Sequence, residues 1–166
     1  MKRIIITTII FIAIVAIACT KGGKLQGVSG NQYTITSTAS SKQLVPAIND
    51  TTSTGTFTGF YDDQMNILTF TVSWNLTGKD TSITSVNFYG PADTTKNGNL
   101  VRSLPFVSTS RAASANLGIA GFNGFSVSEK KDFLAGNYYF TINTQMSPNG
   151  IIRGQLTPVL LTPTKQ

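Results

Sequence analysis

The chain of 166 residues contains no histidine and a single cysteine, and only 12% of its residues are charged. The absence of histidine removes the commonest general base and the commonest transition-metal ligand. One thiol cannot form a disulfide within the chain, so the stability of the fold has to come from core burial. Thr, Ser, Asn and Gly take the place of charged residues. This composition is typical of an exported β-protein and not of a helical bundle or a coiled coil.

The net charge of +6 does not indicate a nucleic-acid partner. Four basic residues precede residue 31, and from that point nine basic residues stand against seven acidic ones, which leaves +2. The longest basic run in that part of the chain is Lys130-Lys131. Because a nucleic-acid-binding protein needs a clustered basic face, the sequence predicts no nucleic-acid binding.

The first 18 residues have the pattern of a signal peptide. Lys2 and Arg3 form a basic start, and residues 4–18 form a run of apolar and small residues. This run is shorter than the ~20 residues that a membrane-spanning helix needs. We therefore predict that residues 1–18 are a signal peptide that is removed on export. A cleavage without lipidation and an uncleaved helix are the alternatives.

The only cysteine, Cys19, directly follows this run. The segment Val15-Ala16-Ile17-Ala18-Cys19 resembles the bacterial lipobox, in which the thiol is lipidated and the signal is cut just before it. Ala16 stands where that motif usually has Leu. Several acyl chains such as palmitate, at ~0.8 kcal/mol per buried methylene, hold a protein firmly in a membrane. We predict a lipoprotein of the cell envelope, anchored through Cys19 to the outer membrane or cell surface, with its domain in the periplasm or outside the cell.

The mature chain divides into a linker, one domain and a tail. Residues 19–31 are rich in Gly and polar residues and predict a flexible, lipid-anchored linker. The folded domain is expected over residues 32–160. Residues 161–166 are expected to form a short tail.

Alternation of apolar and polar residues predicts antiparallel strands across this domain. The clearest case is Leu68–Leu76, where every second residue is apolar. The predicted strands are Tyr33–Thr38, Thr54–Tyr61, Leu68–Leu76, Ile83–Tyr89, Leu100–Phe106, Gly118–Val127, Asn137–Thr144 and Ile151–Val159. One short helix is expected over Glu129–Ala135, begun by Ser126 or Ser128 and ended by Gly136. The fold class is therefore all-β, an antiparallel sandwich or barrel of about seven or eight strands with at most one short helix.

Three segments resemble landmarks of the CHRD domain, the chordin-type module. The resemblance covers roughly Tyr33 to Val159. It rests on Gln43-Leu44-Val45-Pro46-Ala47 followed by Thr54-Gly55, on Asn87-Phe88-Tyr89-Gly90-Pro91-Ala92, and on Gly136–Thr144 followed by Pro148–Leu156 with its Ile152-Arg153-Gly154-Gln155-Leu156. The resemblance implies an immunoglobulin-like β-sandwich. In animal chordin the domain sits within a secreted antagonist of growth factors, and the resemblance does not carry this role over to a bacterial lipoprotein.

The departures from the family pattern argue against a metal site. The family usually has two His at the positions of Asn87 and Tyr89, a third at Asn143, and Glu at Ile151. A His-x-His pair with a third His on another strand is a geometry that suits copper or zinc. Asn and Tyr are poor ligands for these ions, so we predict no metal and no cofactor. A metal-handling protein that has lost its His ligands is an alternative.

A candidate ligand patch consists of Asn87, Tyr89, Tyr139 and Asn143, with Thr141 between the last two. Tyrosine faces and amide hydrogen bonds suit a glycan or a peptide strand of an envelope protein. An ordinary solvated sheet face is the alternative. Arg153 is expected either to bridge strand carbonyls or Asp93, or to contact an anion or partner.

No constellation predicts catalysis. The chain has many Ser and Thr but no His, and its one Cys is assigned to the anchor. Ser128 and Lys131 have Ser-x-x-Lys spacing, but their segment is typical of a helix start. Asp62, Asp63 and Asn66 are oxygen ligands that suit a turn better than calcium. We therefore predict a non-catalytic binding or structural role, and keep an enzyme acting on envelope polymers through Asp/Glu as the alternative.

Overall fold

The computed structural model describes residues 30–48, 52–78, 82–119 and 124–161. The predicted signal peptide, the lipidation site Cys19, most of the predicted linker and all but one residue of the predicted tail lie outside the described residues. The described residues form eight strands, one α-helix and one 3-10 turn. They are β1 Gln32–Ser40, β2 Thr54–Asp62, β3 Ile67–Asn75, β4 Ile83–Gly90, β5 Asn99–Ser108, β6 Ala112–Ile119, α1 Val127–Leu134, β7 Tyr138–Thr144 and β8 Ile152–Leu160, with a 3-10 turn at Ser41–Gln43.

The eight strands form one continuous antiparallel sheet in the order β5-β4-β7-β8-β1-β2-β3-β6. The sheet curls so that its two halves face each other. Phe57 on β2 lies 5.1 Å from Phe140 on β7, and Phe70 on β3 lies 5.3 Å from Phe88 on β4, between ring centroids. The aromatic core is therefore enclosed by a single folded sheet.

The all-β prediction with one short helix is confirmed. The immunoglobulin-like arrangement is a finer statement, and here the described strands differ from two separate sheets. β1 pairs with β2 on one side and with β8 on the other, so the ladder runs on from one half to the other. Between the Thr36–Thr157 pair and the Ser40–Arg153 pair the ladder is interrupted, and the register is the same on both sides.

The hairpin of β2 and β3 shows why the alternating pattern forms a half-buried pair. The side chains that enter the core are Phe57 and Tyr61 on β2 and Leu68, Phe70, Val72 and Trp74 on β3. The Thr residues between them lie outside the core. The turn uses Asp62, whose Oδ1 accepts a hydrogen bond from the Met65 backbone N–H at 2.8 Å, and Asn66 with a positive φ of 55°. Asn tolerates this left-handed conformation better than most residues.

One predicted strand, Gly118–Val127, is wrong in position. The structure has β6 at Ala112–Ile119 and begins α1 already at Val127. β6 pairs with β3 from Asn75 back to Leu68, and its residues are mostly small, so they carry no alternation of large apolar side chains. Pairing with β3 determines where β6 begins and ends, so the local sequence pattern does not predict its position.

Helix α1 closes the end of the curled sheet at which β1 begins. Its capping box is complete, because Ser126 Oγ accepts from the Glu129 N–H and Glu129 accepts from the Ser126 N–H. Phe133 is buried and lies 5.2 Å from the ring of Tyr61, edge to face. Ser126, and not Ser128, is therefore the residue that begins the helix.

Candidate functional site

The outer face of β4 and β7 carries the predicted patch residues. The register pairs Asn87 with Thr141 and Tyr89 with Tyr139. Because residues i and i+2 of a strand point to the same side, all four side chains share this face. The two strands therefore bring three of the predicted patch residues, Asn87, Tyr89 and Tyr139, together with Thr141.

Tyr89 and Tyr139 stack face to face. Their ring centroids are 5.2 Å apart and the planes differ by 9°. Asn87 supports the stack, since its Nδ2 donates to Tyr89 Oη at 3.3 Å and its Oδ1 accepts from Ser103 Oγ at 2.8 Å. The Gly98 backbone N–H donates to Tyr139 Oη at 3.2 Å. The stack is thus held at its polar edges and partly exposed through Tyr89.

Asn143 shares the face but does not join the stack. It lies opposite Ser85, four residues along β7 from Tyr139, which is about 14 Å at strand rise. Its side chain is buried, accepts from Thr141 Oγ1 at 2.5 Å and donates to the carbonyl of Pro148. Asn143 therefore ties the β7–β8 turn to the sheet. The three positions at which the family usually has His are not gathered at one point, because Asn143 is remote from Tyr89.

A cleft of about 450 Å³ opens beside the tyrosine stack. It is formed where the three family-like segments meet. Its lining residues are Leu44, Val45, Pro46, Ile48, Tyr89, Asn97, Gly98, Tyr139, Thr141, Asn149, Gly150 and Arg153. One wall is apolar, from the segment after the 3-10 turn, and the other is polar and aromatic.

Arg153 on β8 lies at the base of the cleft and contacts both the loop after β4 and Tyr139 on β7. Its side chain is 1% exposed, and its guanidinium lies 3.6 Å from the centroid of the Tyr139 ring. Nη1 donates to the carbonyl of Lys96 at 2.9 Å and Nη2 to the carbonyl of Asp93 at 2.6 Å. Weaker contacts reach Asn97 Oδ1 at 3.5 Å and Gln155 Oε1 at 3.4 Å. The bridging role predicted for Arg153 is therefore present, and Asp93, one of the expected partners, is bound through its backbone carbonyl in the loop after β4.

The charge of Arg153 is not neutralised by an ion pair. The carboxylate of Asp93 instead accepts from the Thr95 N–H at 2.8 Å and from Thr95 Oγ1 at 2.7 Å, and these bonds lower the pKa of Asp93. Among the described residues no carboxylate forms a salt bridge with Arg153. Burial lowers the pKa of Arg153 and raises that of Tyr139. The base of the cleft therefore holds a buried guanidinium that interacts electrostatically with the Asp93 carboxylate.

The loop of residues 91–98 forms the part of the site that the sequence did not reveal. Asn97 Nδ2 donates to the carbonyl of Val45 at 2.6 Å, which links this loop to the opposite wall of the cleft. The Ala92 carbonyl accepts from Gln155 Nε2 at 2.9 Å. The sequence contains one signal for this loop, the resemblance of Gly90-Pro91-Ala92 to the family pattern. The two hydrogen bonds could not be predicted, because each joins residues about 50 to 60 positions apart.

The acidic turn between β2 and β3 uses its oxygen atoms internally. Asp62 accepts from the Met65 N–H, Asp63 forms a salt bridge with Lys130, and Asn66 accepts from Tyr61 Oη at 2.8 Å. In the described part of the chain, no group of three or more His, Cys, Asp or Glu residues is close enough to hold a metal ion. The turn chemistry thus accounts for these residues.

A comparison with protein families matches the CHRD domain over residues 35–156. Neither a curated protein nor a solved structure matches the chain. Within the described ranges no helix is long and apolar enough to cross a membrane. The match spans all the residues that form the cleft, from Leu44 to Arg153.

Proposed function

The chain belongs to the CHRD domain family, and we propose that it is a lipid-anchored, non-catalytic module of the cell envelope that binds a glycan in the cleft beside Tyr89 and Tyr139. The observation that carries this proposal is the cleft itself. Stacked tyrosines, amide and hydroxyl groups and a buried guanidinium surround one opening. Such a combination recognises sugar rings through aromatic contact and hydroxyl groups through hydrogen bonds.

The lining of the cleft favours binding over chemistry. The described residues that line it include no Asp or Glu, whereas glycoside hydrolysis uses a pair of carboxylates flanking the scissile bond. The hydroxyl groups there have no imidazole or thiolate beside them, since the chain has no histidine. The alternative of an enzyme acting on envelope polymers through Asp/Glu has no comparable cluster to support it in this cleft.

Aromatic truncation tests the glycan site. In calorimetry with soluble glycans released from the native envelope, Tyr89→Ala should lower affinity about tenfold, which corresponds to ~1.4 kcal/mol. The residue is only partly buried, so the fold should persist. Thr58→Ala, an exposed change on the outer face of β2, is the matched control. Equal binding by Tyr89→Ala and wild type, or no binding by either, would contradict the proposal.

The anchor is supported by the position of Cys19, the only cysteine, at the end of the apolar run. Cys19→Ser should leave the protein unprocessed, or soluble once the signal is removed, because no thiol remains for lipid attachment. Membrane fractionation together with the mass of the N-terminal fragment measures this. A Ser variant that is cut and still sediments with membranes would show that something other than lipid holds it.

A further inference from the structure

The chain enters the domain at one end of the curled sheet, which we call the linker end. β1 begins there at Gln32, whose register partner is Asp62 at the end of β2. Gly30 lies against the β2–β3 turn, since a Cβ at Gly30 would be 2.5 Å from Gln64 Cβ. β8 also ends there, and the Leu161 N–H donates to the Gln32 carbonyl at 2.8 Å. The linker, the β2–β3 turn and the end of β8 are therefore neighbours.

Exposed apolar side chains are concentrated at the linker end. Met65 in the β2–β3 turn is 61% exposed, and Val127 at the start of α1 is 88% exposed. The helix start is held beside the turn by Asn66, whose Nδ2 donates to the Phe125 carbonyl at 2.6 Å, and by the Lys130–Asp63 salt bridge. Further exposed apolar residues nearby are Phe60, Val159, Leu160 and Leu161. These six residues form what we call the apolar rim.

Three carboxylates beside the apolar rim are bonded within the protein, whereas Lys131 on α1 is exposed. Asp63 pairs with Lys130 and Glu129 with Arg102, and hydrogen bonds from Ser126 contribute to lowering the pKa of Glu129. Asp62 accepts from the Met65 N–H. The acidic groups at the rim are therefore bonded internally, and the affinity of the rim for another surface should come mainly from its apolar side chains.

We propose that the apolar rim rests on the lipid bilayer, inserted at the depth of the headgroups. The proposal depends on the lipid anchor at Cys19. Ten residues separate Cys19 from Gly30, and a chain of that length spans at most about 36 Å. The tether thus limits the distance between the linker end and the membrane surface to about this length. Exposed patches of this kind are typical of membrane or protein contacts.

Docking at the linker end determines how the cleft is oriented relative to the bilayer. Asn149 and Gly150, which line the cleft, belong to the β7–β8 turn at the opposite end of the sheet. With the apolar rim on the bilayer, this side of the cleft faces away from the lipid.

A depth measurement on the mature, acylated, full-length protein tests the proposal. Cys19 is acylated, so a single new thiol takes an environment-sensitive fluorophore. The probe positions are Met65→Cys and, independently, Val127→Cys. Met146→Cys is the matched control, because Met146 is 70% exposed and lies in the β7–β8 turn at the opposite end. The vesicles are phosphatidylcholine with and without nitroxide-labelled lipid.

We expect nitroxide lipid to quench the probes at positions 65 and 127 at least twofold more than the probe at position 146. Adding 0.5 M salt should not change this ratio, because the contact is apolar. If the protein sediments with the vesicles but all three probes are quenched equally, the docking proposal is overturned and the anchor proposal stands. Protein that does not sediment with vesicles would overturn both, since the rim alone would then not hold the domain.

Discussion

At the scale of single residues, Trp74 is the side chain whose sequence-based prediction is tested most directly. It was expected on the apolar face of the strand, and it is 4% exposed. Its Nε1 donates to the Ser110 carbonyl at 2.9 Å and its ring meets Phe106 edge to face at 5.8 Å. The indole thus joins β3 to the segment after β5 across the core.

Trp74→Ala should be among the most destabilising single changes. Removing the ring leaves a cavity and an unpaired carbonyl, and large-to-Ala core changes typically cost ~3–5 kcal/mol of unfolding free energy. Urea denaturation of wild type, Trp74→Ala and the control Thr69→Ala, which lies exposed on the same strand, measures this. A midpoint for Trp74→Ala equal to that of the control would show that the buried indole contributes little.

Because tyrosine side chains are buried, the free energy of unfolding depends on pH in the alkaline range. Burial raises the pKa of Tyr138 to about 12, and it raises that of Tyr61 as well, with added repulsion from Asp63. An unfolded tyrosine has a pKa of ~10. Their contribution is therefore fully present below about pH 10 and is lost as pH rises toward 12, because ionisation then favours the unfolded chain.

The urea midpoint should stay level from about pH 7 to 9 and fall above about pH 10. Tyr61→Phe should reduce that fall, although it also loses the hydrogen bond to Asn66 at neutral pH. Absorbance of tyrosinate near 295 nm, followed in the same samples, reports the ionisation. A midpoint that does not change up to pH 12 would contradict the assigned direction.

The candidate site shows which residues a sequence can place. Asn87 and Tyr89 were predictable neighbours because i and i+2 share a strand face, and Tyr139 followed from the same alternation on β7. Asn143 fitted that pattern as well, but it lies four residues from Tyr139 along the same strand, about 14 Å away, a separation that the strand rise alone implies. The pairing of Tyr89 with Tyr139, by contrast, depends on the register between β4 and β7, which a sequence without structure does not contain. For Arg153 the sequence named Asp93 as one possible partner, but it did not show that the bonds go to the backbone carbonyls of Asp93 and Lys96.

At the scale of elements, α1 depends on a cap that local sequence predicts well. Ser126 and Glu129 have the spacing of a capping box, and both of its hydrogen bonds are present. Ser126→Ala should cost ~1 kcal/mol of unfolding free energy, since it leaves a backbone N–H of the first turn without its acceptor. Thermal melts against Ser128→Ala measure this, because Ser128 is exposed within the same turn. Equal losses in the two variants would argue against the cap.

The strands differ in how well alternation predicts them. The strand expected at Leu68–Leu76 is observed at Ile67–Asn75, because each second residue is a large apolar side chain that enters the core. β6 was displaced by about six residues from its predicted start. It is an edge strand of mostly small residues, so pairing with β3 sets its position and its own side chains do not.

At the scale of the whole molecule, the closure of the fold could not be read from the sequence. The contact that converts two halves into one curled sheet joins β1 to β8, with Thr36 opposite Thr157. These strands are the first and last of the domain. No local pattern relates residues so far apart in the chain, whereas the fold class itself follows from many short, independent alternations.

The position of β1 inside the sheet has a mechanical consequence. The chain that leads out of the domain toward residue 30 continues directly from this strand, which is held by β2 on one side and β8 on the other. A pull along that chain runs parallel to the strand and perpendicular to its hydrogen bonds, so both ladders are loaded in shear and have to break together. Had the tether left from an edge strand such as β5, the same pull could have peeled one ladder bond by bond. A domain tethered through an inner strand can therefore bear load on its attachment without unravelling.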